Sequence, residues 1–315
     1  MPSSRILTFA DPYEYQKSVR AGELKIFVTA RGEFEAKLMQ IDLHRLWMQR
    51  SWLSLPHVTH TAMNKGRSAL FFLADIHQER GFHSGFEISP ETIVVHSLGA
   101  EHYRRAPANR RWAAMSLPPE DLAAFGRALV GRELAAPAVS QLIRPGPGLL
   151  SRLMNLHRAA GDLAATAPDV LAHPEVARAI EQELARAMIA CLTDSAAPKS
   201  NRHLRQRLAV MRRFEHMLEA RENQPIYITE VCAEIGVAAR SLRSYCQEHL
   251  RMSPHRYLWL RRMNLVRQAL ARADRKTKTV TQIANDYGFA ELGRFAVAYR
   301  EVFGESPSAT LRREP

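Results

Sequence analysis

Arg240, Ser241, Arg243, Ser244 and Gln247 recur at spacings that place them on the outer face of one helix. Guanidinium, hydroxyl and amide groups in that pattern can hydrogen-bond to base edges and phosphate oxygens. A sparser set, Glu291, Arg294 and Arg300, stands in the same place of a later unit. Arg256, Arg261, Arg262 and Arg267 lie between the two sets. Arg256 and Arg262 are the expected phosphate contacts; the adjacent Arg261 and Arg262 cannot share one helix face. Thr229 and Thr281 open the two units. A hydroxyl there can accept a free amide at a helix start, so both are expected as N-caps and as part of the contact surface. The bland alternative for each arginine is a solvated helix charge, and only the duplication described below argues against it.

Other reactive residue types are dispersed. His57 and His60, with His77 and His83, could ligate a metal from adjacent strands. However, the odd spacing of His57 and His60 points them to opposite faces of a regular strand, and no carboxylate stands at helpful spacing. Polar-rim or core histidines are expected instead, and no metal. Cys191, Cys232 and Cys246 are far apart on apolar faces of expected helices, which marks core cysteines. They show neither zinc spacing nor a disulfide framework. No serine or cysteine sits in a nucleophile elbow. Trp47, Trp52 and Trp112 are expected in the core or a pocket wall. No catalytic residue and no cofactor is expected.

The polar rows belong to a repeat spanning residues 225–307. Its first copy reads PIYITEVCAEIGVAARSLRSYCQEHLRMSP and its second TVTQIANDYGFAELGRFAVAYREVFGESP. Ile228-Thr229 with Glu234-Ile235-Gly236-Val237 parallels Val280-Thr281 with Asp286-Tyr287-Gly288-Phe289, and both copies end on Ser-Pro. Internal repetition of this kind organises everything around it. Val231, Cys232 and Ile235 share a helical face, as do Ile283, Ala284 and Tyr287. Gly236 and Gly288 stop the first helix of each copy, because glycine enters the left-handed region at little cost. A second helix then crosses the first, over about 238–249 and 291–302, with Leu242, Cys246 and Leu250, and Phe295 and Tyr299, facing inward. Pro254 starts a linking helix to about residue 273. Its length of about 30 Å approaches the roughly 34 Å of one turn of B-DNA, so two reading helices could enter successive major grooves.

At these residues the chain resembles the AraC/XylS family of bacterial transcription regulators. Gly288-Phe289, Phe295, Tyr299, Phe303-Gly304 and Ser306-Pro307 match the family signature. Within the family, Leu292-Gly293-Arg294-Phe295-Ala296 and the ending Pro307-Ser308-Ala309-Thr310-Leu311 resemble ethanolamine-operon-regulator-like members. The resemblance covers about the last third of the chain. It implies a seven-helix double helix-turn-helix domain that contacts double-stranded DNA and RNA polymerase, and transcriptional control, usually activation. By the family pattern Arg240, Arg243 and Ser244 fall on base-reading positions, whereas the matching Leu292, Gly293 and Val297 cannot form bidentate base contacts. The second unit is then expected to act through phosphates, DNA shape or thymine methyls.

Bulk properties agree. The 315 residues carry 44 Lys and Arg against 32 Asp and Glu, a net charge of +12. Residues 199–315 hold +10 of this, the footprint of a nucleic-acid binder. The N-terminus lacks a charged start followed by an apolar core, so no signal peptide is expected. No run of about 18 apolar residues suggests a membrane span. A cytoplasmic protein without membrane contact is expected.

Ahead of the repeat, residues 1–22 read as polar, with a turn at Asp11-Pro12 and one short helix. Residues 24–117 alternate between apolar and polar, with strand-like runs at 58–62, 68–74, 86–88, 92–97 and 111–116, which argues a β-sandwich or small barrel. From Leu117-Pro118-Pro119 the pattern turns helical through 118–193, with amphipathic stretches at 149–164 and 174–192. The fold class expected is α+β. Residues 1–193 would form a cupin-like β-sandwich sensor with dimerising helices, 194–202 a linker, and 203–315 the all-α DNA-binding domain. The cupin likeness and the homodimer are implied by the family resemblance. The function expected is a sequence-specific transcriptional regulator responding to an unidentified small-molecule effector. Two alternatives stand beside it: a metal-dependent cupin enzyme with a DNA-binding tail, and an effector-independent DNA-structuring protein.

Overall fold

A computed structural model describes residues 2–20, 22–194, 202–221 and 226–312. The chain begins with β1 (Ser3–Phe9), α1 (Pro12–Ser18), β2 (Gly22–Val28), β3 (Ala36–Asp42), β4 (Trp47–Leu53), β5 (His57–Met63) and β6 (Ser68–Leu73). It continues through β7 (Gly81–His83), β8 (Phe86–Ile88), β9 (Ile93–Val95), β10 (Glu101–Ala106) and β11 (Arg110–Leu117). Then come α2 (Pro119–Val130), β12 (Gln141–Ile143), α3 (Pro147–Thr166), α4 (Pro168–Ala172) and α5 (Pro174–Asp194). Seven helices close the described residues: α6 (Arg202–Ala220), α7 (Ile228–Ile235), α8 (Ala239–Leu250), α9 (Pro254–Arg272), α10 (Val280–Asp286), α11 (Leu292–Phe303) and α12 (Pro307–Arg312). This is the expected α+β class. Among the described residues no helix is long and apolar enough to cross a membrane.

The strands form two sheets, ordered β1-β3-β4-β11-β6-β9-β12 and β2-β5-β10-β7-β8. Alternation along each strand supplies two apolar faces per sheet, so four layers stack. Leu24, Ile26, Val28, Leu38, Phe71 and Trp112 fill the space between the sheets. The outer face of the larger sheet, with Ile41, Met48, Phe72 and Met115, is covered by Leu153, Leu184 and Met188 of α3 and α5. The outer face of the smaller sheet presents Phe27, Val58 and Tyr103 to Met211, Phe214 and Tyr257 of α6 and α9. The C-terminal helices are therefore packed directly on the sandwich.

Several boundaries differ from expectation. Residues 1–22 hold a strand, β1, paired with β3 along its whole length, because Ser3 to Phe9 needs only backbone partners there. The helix α1 is present, with the Asp11 carboxylate accepting from the Tyr13 amide at 2.7 Å. Strand β10 contains the sequence Glu-His-Tyr-Arg-Arg, which resembles a polar loop, yet it runs between β5 and β7. The expected linker mostly lies outside the described residues; at its ends Asp194 closes α5 and Arg202 opens α6.

Candidate nucleic-acid interface

The first unit is built as its sequence demands. Val231 and Ile235 of α7 pack on Leu242, Cys246 and Leu250 of α8, all buried. Gly236 ends α7 at φ 68°, and its amide bonds the Cys232 carbonyl. With the apolar row of α8 turned inward, Arg240, Arg243, Ser244 and Gln247 are exposed, and Ser241 is half-buried. In the second unit Ile283 and Ala284 of α10 pack on Phe295, Tyr299, Val302 and Phe303 of α11. Thr281, Glu291, Arg294 and Arg300 are exposed. Neither α8 nor α11 has its polar face sunk into its own core.

The capping expectation is wrong in both units. Thr229 lies inside the first turn of α7, whose N-cap is Tyr227 with no side-chain bond. Thr281 lies inside α10, which starts one turn-residue earlier in a capping box. There the Gln282 amide donates to Thr279 Oγ1 at 3.2 Å, and the Thr279 amide donates to Gln282 Oε1 at 2.9 Å. Thr279 competes better because Gln282 stands three residues on, where it can answer reciprocally. Both Thr229 and Thr281 are exposed.

Among the described residues no ion pair holds Arg240, Arg243, Arg256 or Arg300. Arg294 instead pairs with Glu291 at 3.0 Å, both exposed. Val297, 62% exposed, sits on the same helix and offers an apolar contact. On α9, Ser253 Oγ accepts from the Arg256 amide at 3.2 Å, and the Arg256 guanidinium lies 4.3 Å from the Trp259 ring. Arg262 is half-buried over Phe289 at 5.7 Å, and burial lowers its pKa. Arg261 and Arg267 are not surface groups. Arg267 faces Glu305 at 3.5 Å, while Arg261 is bound to the buried carboxylate of Glu215.

Glu215 also accepts from Tyr257 at 2.8 Å and from Tyr103 of β10 at 3.2 Å. Burial pushes its carboxyl up, but Arg261 leads a set of groups that outweigh burial and bring it down to about 2. Around it, Lys25 meets Glu219 at 2.8 Å and His216 meets Glu101 at 2.8 Å. Asn264 of α9 accepts from the Val28 amide at 3.0 Å and donates to its carbonyl at 3.2 Å. These polar bonds join the sandwich to α6 and α9.

The histidines named from sequence do not converge. His57 turns inward with Nδ1 bonded to the Leu55 carbonyl at 2.8 Å, His60 turns outward towards Glu101 at 3.4 Å, and His77 is exposed. His83 gathers instead with His96 and His102, all three buried, their ring nitrogens within 4.8 Å of one another. His102 sits on β10 and His96 just past β9, so the grouping depended on recognising β10. The cysteines are buried and free, as expected of core residues.

Residues 231–313 match a family model described as a helix-turn-helix domain. An XylDLEGF operon transcriptional activator of Pseudomonas putida is 40% identical over 85 residues, covering 27% of this chain and 26% of that protein. The C-terminal region is an AraC/XylS-type DNA-binding domain. The "Probable thc operon regulatory protein" of Rhodococcus erythropolis is 31% identical over 218 residues, 65% of each chain. The chain thus spans 65% or less of the length of these relatives. The crystal structure of the AraC-like transcriptional activator CuxR aligns over 84% of this chain and 95% of its own, at 14% identity and a TM-score of 0.46. The matched residues include α8 and α11, the second helices of the two units, and α9 between them.

Proposed function

We propose that the chain is a cytoplasmic transcriptional regulator of AraC/XylS type, an activator, with residues 203–315 binding duplex DNA and residues 1–193 sensing a small molecule. The observation that carries the reading is the pair of helix-turn-helix units that leave Arg240, Arg243 and Ser244, and Arg294 and Arg300, exposed on helices otherwise packed by apolar faces. Arg240, Ser241, Arg243, Ser244 and Gln247 read bases; Arg256 and Arg262 meet phosphates. Thr229 and Thr281 act through their hydroxyls at the helix starts. The second unit docks through Arg294, Arg300 and the apolar Val297, which suits a thymine methyl.

Sensing would be transmitted through β10. Its His102 and Arg104 face the space between the sheets, and its Tyr103 faces Met211 and Glu215 of α6. One strand therefore touches the sandwich interior and the DNA-binding domain on opposite faces. The resemblance adds homodimerisation through the helical segment 118–193 and contact with RNA polymerase.

Footprinting of the full chain on sites recovered by genome-wide mapping tests the proposal. Two protected patches one helical turn apart, with affinity falling steeply as salt rises, are expected. Diffuse protection without phasing would favour a DNA-structuring protein instead.

A further inference from the structure

Arg104 projects from β10 into the cleft between the sheets. Its guanidinium carbon lies 4.6 Å from the centre of Phe71 and 5.4 Å from that of Trp112. Its Nε donates to Thr59 Oγ1 at 3.4 Å. Among the described residues no carboxylate stands within ion-pair distance. Tyr15 is the one group whose charge would offset that of Arg104, and burial raises the pKa of this phenol, so it stays neutral. A cation enclosed by aromatic rings with no counter-charge is costly, and evolution of a core alone gives no reason to keep one. The cleft also exposes His96 and His102, each with an Nδ1 that has no hydrogen-bond partner, and Gln49.

We infer that this cleft binds a small organic carboxylate, with Arg104 as its anchor. The guanidinium fork matches a carboxylate in charge and in paired geometry. Arg20 and Arg67 also line the cleft, but Arg20 is paired with Asp42, and Arg67 donates to Ser116 and to the Arg45 carbonyl. Arg104 thus supplies one uncommitted positive charge, which balances a monoanion, beside the apolar walls of Phe71, Leu70 and Trp112. The cavity is about 40 Å³. At roughly 10–15 Å³ per water-sized group, that admits a head group and a short apolar body. The histidines would answer the anion's second oxygen or hydroxyl.

The same histidine group could be read as a metal site, and two features oppose it. The Arg104 charge repels a cation placed there. The rings of His83 and His102 stack at 4.4 Å with planes 25° apart, and those of His96 and His102 at 4.6 Å and 30°. Lone pairs lie in the ring planes, so those of stacked rings run side by side rather than meeting at one point.

The inference rests on the sensing role proposed above, and its test separates the two. Full-length protein is titrated calorimetrically with acetate, propionate and butyrate, and with acetamide, propionamide and butyramide as neutral matches. At least one acid should bind ten-fold or more tightly than its amide, and Arg104→Met should abolish the difference. Arg104→Met should also raise the melting temperature, because it removes an unpaired charge; a purely structural arginine would lower it. No acid binding at 10 mM, equal binding of acid and amide, or a stoichiometric zinc lost in His102→Ala would each overturn the inference. Operator binding by the ligand-free protein is measured in parallel. Its loss would sink the regulator reading and leave carboxylate binding standing.

Discussion

Two arginines close in sequence have opposite fates here. Arg240 is exposed and makes no ion pair among the described residues, and Arg261 is 4% exposed against a fully buried Glu215. Arg240→Ala should weaken operator binding by about 1–3 kcal/mol and relax preference at one base pair. Gel-shift titration against cognate and scrambled duplexes reads this; equal losses on both would reassign Arg240 to a phosphate. Glu215→Gln leaves the Arg261 guanidinium buried without its anion and should cost about 3–5 kcal/mol in denaturant unfolding. The double variant Glu215→Leu with Arg261→Met should recover most of that, because it removes both charges together. If the double variant were no better than the single, the ion pair would be contributing net stability.

At the scale of elements, α10 starts earlier than the repeat implies. The repeat aligned Thr281 with Thr229, and the alignment suggested a common capping role. This helix start is settled by a reciprocal pair of bonds, which Thr279 and Gln282 make. Thr279→Ala should therefore lower stability by about 1 kcal/mol, and Thr281→Ala should change it little. Thermal melts of the two variants distinguish them, and the reverse order would restore the capping role of Thr281. Helices α7 to α11 were legible because their periodicity is local and each copy of the repeat checks the other. Strand β10 was not, since its inward residues are His102 and Arg104 and its outward residue is the aromatic Tyr103. That pattern inverts the usual apolar-in signature, and only the β5 and β7 ladders reveal it.

Among the described residues, six enclosed histidines, His249 among them, are held towards the neutral form by burial. Burial is the largest cause in each: it brings His57 to about 4, His96 and His157 to about 3, and His83 and His102 well below 6.5. The unfolded chain takes up a proton on each near pH 6.5, and the folded chain does not until lower pH. Their neutrality is free of cost above pH 6.5. As pH falls below 6.5, each lowers stability, because the unfolded chain binds a proton that the folded chain excludes; the limit for one such group is about 1.4 kcal/mol per pH unit. Melting temperature should hold between pH 8 and 7 and drop steeply between 6 and 5; a flat profile would contradict their enclosure. The amino-acid order by itself determined the duplicated DNA-binding unit, its apolar and polar faces, and the β-rich half before it. All of these follow from spacings along one stretch of chain. Tertiary structure alone decided which arginines are buried, which histidines meet, and that Arg104 faces an enclosed cleft while its neighbour Tyr103 holds the DNA-binding domain. Those outcomes depend on residues distant in sequence becoming neighbours, and no local period records that.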